Sequence, residues 1–122
     1  MKYVLMFTST PELDEAFDPD LGAKVYEEIF AWFGEHSQAG RIVDGGAELQ
    51  PVSTATTLRG AEDGAPVVVD GPFSESKEVV GGFAIVDVPD LDAAIELARS
   101  WPSLRYPGNS VEVRPIVDHS QG

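Results

Sequence analysis

Residues 79–98 read VVGGFAIVDVPDLDAAIELA, a strand and a helix written end to end. Val79 to Val88 is the most hydrophobic strand-like stretch of the chain. Pro89-Asp90 interrupts it, and the Asp90 carboxylate stands where a helix N-cap accepts a backbone N–H. Leu91, Ala94, Ile95, Ala98 and Trp101 recur at three- and four-residue spacing and predict one buried stripe, which Pro102 ends. A second such unit lies at residues 2–39. In KYVLMFT (2–8), Tyr3, Leu5 and Phe7 point one way and Val4 and Met6 the other, the pattern of an interior strand. The polar connection STPELDEAFDPD follows. Asp18-Pro19 then opens a helix over about 19–39, a capping carboxylate before proline at the first helical position. Its apolar stripe is Leu21, Val25, Tyr26, Ile29, Phe30 and Phe33, and Gly40 supplies a left-handed stop.

Between and after these units the signals are those of strands. RIVDGGAELQP (41–51) reads as a strand interrupted at Gly45-Gly46 by a bulge or a close backbone approach. Ser53 to Arg59 alternates, Glu62-Asp63-Gly64 is a hairpin-type turn, and Pro66 to Val69 is the returning strand. Val111, Val113 and Ile116 mark a last strand with Pro115 at its end or on an edge. The ordered core is expected over about 1–117, with DHSQG (118–122) as a tail. The order β-α-β-(β-β)-β-α-β predicts a single α+β domain of ferredoxin-like, split-βαβ type: an antiparallel sheet, two helices on one face and an inserted β-hairpin. The other sheet face is apolar and uncovered. In a chain of 122 residues its natural cover is a second copy, so a homodimer is expected.

Composition narrows the function classes. Hydrophobic residues are 43% and charged residues 24%, as in a soluble globular domain. There is no cysteine, which removes disulfides and thiolate chemistry and is compatible with a reducing cytoplasm. The opening MKYVLMFTSTPELDE predicts neither a secretory leader nor a membrane span. A formal charge of −13 disfavours nucleic acid and anionic lipid as partners. Of the two histidines, His119 falls in the polar tail. His36 falls in the last turn of the first helix, where a cationic side chain would complement the helix dipole. No zinc pattern can be written, and neither metal nor cofactor is expected. Gly45-Gly46 and Gly81-Gly82 match no phosphate-binding spacing and read as tight packing between strands.

The segment with chemical content is VVDGPFSESKE (68–78). Asp70 ends a strand, Gly71 permits an unusual backbone, Pro72 stiffens it, and Phe73 can anchor the turn. Glu78, with Lys77 beside it, leads back into the strongest strand. Two carboxylates near one apolar wall are a general acid–base arrangement, because repulsion and desolvation raise one pKa toward neutrality. From spacing alone the favoured reading of the same residues is an Asx-type turn and a Lys77–Glu78 surface pair.

DGPFSESKE, followed by a glycine pair and a hydrophobic strand, resembles the motif of DGPF-domain proteins, relatives of the YCII family. The likeness extends to MKYVLMF, AGRIVDGGAELQP, TATTLR and VEVRPI, nearly the whole chain. The resemblance implies a dimeric α+β barrel of ferredoxin-like subunits. It also implies a genomic association with extracytoplasmic-function sigma factors, and small-molecule chemistry based on a His–Asp pair in a cleft. The family histidine belongs to the middle of the first helix, where this chain has Tyr26 to Phe30, and His36 lies about two turns later.

Three functions are expected to compete. One is a cofactor-independent small-molecule enzyme with Asp70 or Glu78 as general acid or base. Tyr26, Trp32, Phe73 and Lys77 would contact substrate in a cleft between the sheet and the first helix. The second is a non-catalytic dimeric module that senses a ligand or acts within a sigma-factor circuit, and the third is an accessory protein whose DGPF loop is an architectural dimer element.

Overall fold

The computed structural model describes residues 1–10, 18–71 and 78–121. Strand β1 (Lys2–Ser9) is followed by helix α1 (Pro19–Gln38), β2 (Ile42–Glu48), β3 (Thr56–Arg59), β4 (Val67–Asp70), β5 (Val79–Asp87), α2 (Leu91–Arg99) and β6 (Ser110–Pro115). The main sheet has the order β2-β5-β1-β6 and is antiparallel at each contact. This is a ferredoxin-like α+β arrangement, with β1 in the interior and β6 on an edge. Strands β3 and β4 form a separate antiparallel hairpin.

Local chemistry accounts for the helix boundaries. Asp18 caps α1 by accepting from the Asp20 N–H, with Pro19 next in line. Gly40, at φ +77°, carries the chain out of that helix. Asp90 caps α2 by accepting from the Ala93 N–H. The α2 stripe is rotated from the expected one. Leu91 and Ile95 are exposed, whereas Leu97 joins Ala94 and Ala98 in the core. The sheet surface under α2 supplies neighbours for the 94/97/98 side, and helical spacing alone does not distinguish two adjacent stripes. Val52–Thr54 forms a 3₁₀ turn after Pro51, so β3 begins later than alternation suggested.

One sheet face holds the core. Tyr3 pairs with Val86 and Leu5 with Ala84, and all four are at most 2% exposed. Against them pack Trp32 from α1, Ala94, Leu97 and Ala98 from α2, and Trp101. On the opposite side the register places Val4 across from Ile85, both partly buried, with Val43 half exposed on β2. The helices contribute their buried residues to the core face. His36 corrects an expectation. Expected as a cation at the helix end, it is 9% exposed, with Arg41 on its Nδ1 at 3.0 Å and the Trp32 ring beside it at 4.9 Å. Burial lowers its pKa below the ordinary 6.5, outweighing the raising effect of Glu35. Burial and the adjacent Arg41 thus work against a charge on His36, and its contribution here is packing against Trp32.

Candidate functional site

Phe7, near the end of β1, carries an aromatic cluster. Trp101 stacks on it at 3.8 Å, and Trp32 and Phe33 of α1 meet it edge-on at 6.2 and 6.3 Å. Trp32 donates from Nε1 to Ser100 Oγ (2.8 Å), and Ser100 Oγ in turn donates to the Leu97 carbonyl (2.6 Å). The cluster therefore presents a rigid wall. Between that wall, the outer part of α1 and the bulged end of β2 opens a cleft of about 380 Å³, a size suited to a small organic ligand.

The bulge positions the cleft's carboxylate. Ile42 pairs with Val86, so an unbroken register would bring residue 46 opposite Gly82; two one-residue shifts bring Glu48 there instead. Asp44 builds the irregularity by accepting from the Gly46 N–H at 2.8 Å. The glycines are obligatory. Gly46 has φ +64°, and a Cβ on it would lie 1.9 Å from the Phe83 carbonyl oxygen. A Cβ on Gly82 would lie 2.9 Å from the Ala47 carbonyl oxygen. The reading as tight strand packing holds for Gly46 and Gly82; a Cβ on Gly45 would meet nothing within 4 Å, and one on Gly81 would make only an ordinary contact at 3.9 Å. Glu48 is exposed at the cleft rim, where its Oε1 accepts a hydrogen bond from the Tyr26 phenol. Tyr26 comes from the edge of the α1 stripe, beside Phe30 at 6.3 Å. The 3₁₀ turn Pro102–Arg105 is tied to α1 by an ion pair between Arg105 and Glu28 and places Ser103 on the cleft wall.

Of the residues expected at a site, Tyr26 lines this cleft. Trp32 lies behind its wall in the core and does not line it. Asp70, at the end of β4, and Glu78, just before β5, are exposed and outside the lining. Gly71 does adopt an unusual backbone, φ +109°, with its N–H on the Ala55 carbonyl and its carbonyl on Thr57 Oγ1. Phe73 and Lys77 lie outside the described residues. Glu48 was not singled out in the sequence. Its signal was the glycine pair just upstream in a strand, which announces a bulge and so a re-aimed side chain. No group of three or more His, Asp or Glu residues suited to a metal occurs among the described residues. Nor is any of their helices long and apolar enough to cross a membrane.

Comparison with known proteins decides the family. The YCII-related domain matches residues 1–120. The chain belongs to the YCII-related family. Among its relatives is an uncharacterised protein of Rhizobium meliloti (strain 1021), 30% identical over 122 residues, spanning 100% of this chain and 97% of the relative. In this YCII-related chain the middle of α1 offers the cleft a phenol, Tyr26, and the rim a carboxylate, Glu48; neither histidine lines it.

Proposed function

We propose that this YCII-related protein binds and processes a small, mostly apolar molecule in the cleft between α1 and the sheet, with Glu48 as the group that accepts a proton from it. The observation that carries this reading is the Glu48–Tyr26 pair at the mouth of an aromatic-lined cavity. A carboxylate can serve as general base when its substrate is held at hydrogen-bond distance by an apolar wall. The Tyr26 phenol donates to Oε1 and so helps to hold the carboxylate at the rim. The reaction class this suits is proton transfer that needs one well-placed carboxylate.

A screen of small aromatic and alicyclic compounds, read by the rise in melting temperature, tests the assignment. Compounds that engage the carboxylate should lose most of their effect on Glu48→Gln, and all hits should keep it on Asp70→Asn. For any compound that is turned over, Glu48→Gln should lower the rate by about 10²–10⁴-fold, the usual loss of a general base. Hits that depend on Asp70 and not on Glu48 would move the chemistry to the segment after β4 and overturn this reading.

A second reading, a module that docks on a protein, is supported by the β3–β4 hairpin, where Leu58 and Val68 pair across the strands at 64% and 62% exposure. Leu58→Ser with Val68→Ser should abolish capture of a sigma factor if that reading holds, and leave ligand-induced stabilisation unchanged.

A further inference from the structure

The cleft has a charge signature that its size alone does not convey. Among the described residues that line it, Glu48 is the one group charged at neutral pH, and no lysine, arginine or histidine contributes. Its Oε1 is held by the Tyr26 phenol, while Oε2 has no hydrogen-bond partner among the described residues. Around it the lining is aromatic: Phe7 and Trp101 stacked at the floor, Phe33 edge-on to them, and Tyr26 with Phe30 at the rim. Phe30 is 71% exposed, which leaves its ring accessible at the cleft rim. Ring faces carry negative partial charge and attract cations, and a neighbouring carboxylate adds to that attraction. The whole chain, at −13, adds a field of the same sign. An anionic ligand would meet a carboxylate, ring faces and this field with no cationic side chain from the described lining.

We infer that the cleft selects organic cations: an arylalkyl- or alkylammonium whose charged head sits on Glu48 Oε2 against the Tyr26 and Phe30 rings, and whose apolar body lies along Phe7 and Trp101. This rests on the cleft being the binding site and deepens that reading by naming the ligand class. The ammonium head keeps its proton and donates a hydrogen bond to Oε2.

Three probes of one shape separate the possibilities: phenethylammonium, 2-phenylethanol and 3-phenylpropionate, titrated into the full chain and followed by ¹H–¹⁵N shifts of the cleft residues, including the Trp101 indole. Phenethylammonium should bind roughly tenfold or more tightly than the alcohol, as a carboxylate and ring faces acting together would give. The carboxylate probe should bind more weakly than both. Added salt should narrow the gap. Glu48→Gln, at an exposed position that should not disturb folding, should equalise the cation and the alcohol and keep alcohol binding. An anion that binds as well as the cation, or a cation preference that survives Glu48→Gln, overturns the inference and leaves the cleft reading standing. If none of the three shifts the cleft residues, both are overturned.

Discussion

Gly46 shows how one residue holds a site in place. It sits at φ +64°, where a side chain costs about 1–2 kcal/mol, and an added methyl would strike the backbone of β5 rather than a movable side chain. Gly46→Ala should therefore lower stability by about 2–5 kcal/mol, combining the conformational and steric costs. Denaturant unfolding measures this; a change under 1 kcal/mol would mean that the bulge relaxes freely. His36 makes a pH-dependent contribution of definite sign. Burial holds its pKa below 6.5 in the folded chain, whereas the unfolded chain titrates near that value. As pH falls through 6.5 the unfolded state takes up a proton that the folded state resists, so stability drops on acidification and is regained on returning to neutral. The melting temperature should fall between pH 7 and pH 5.5 in the wild type, and the fall should be smaller in His36→Gln.

Among the elements, α2 is the more dependent on its cap. With nine residues it has about two and a half turns, too few to be stable without packing and end contacts. Asp90→Ala removes the acceptor for the Ala93 N–H and should cost about 1 kcal/mol, read as a drop of about 3–5 °C in melting temperature. Asp90→Asn should recover most of it, since the amide oxygen still accepts. Strand β2 depends instead on its partner: its two register shifts are compensated only by pairing with β5, including the bond from the Leu49 N–H to the Gly81 carbonyl at 2.7 Å. The cap is written in adjacent residues and was legible in the sequence. The exact displacement of β2 involves residues more than thirty positions apart and was not.

For the whole molecule, the face of the main sheet away from the helices is the open question. Val4, Ile85 and Val43 leave apolar surface there, each Å² of which forfeits about 25 cal/mol while it stays wet. We propose that a second copy covers it. Two chains of charge −13 repel, so association should strengthen with salt as that repulsion is screened. Light scattering at micromolar concentration and physiological salt should give twice the chain mass, and Val4→Glu should give the single mass without loss of helix content. A wild type that stays single at high salt would sink the proposal.

The order of elements, the interior place of β1, both helix starts and the hairpin could be read from the chain alone. Each rests on signals within a few residues: alternation, a capping carboxylate, proline at a helix start, a glycine in a turn. One glycine of each pair, Gly46 and Gly82, marks close packing between strands in the same way. Tertiary structure alone decided which stripe of α2 is buried, that His36 is packed against Trp32, that Trp32 belongs to the core while Tyr26 faces the cleft, and that Glu48 meets Tyr26 at its rim. Those outcomes depend on which distant surface each side chain meets. Register between strands and rotation of a helix about its axis are settled by the summed packing of the whole core, and a short stretch of sequence carries no record of that sum.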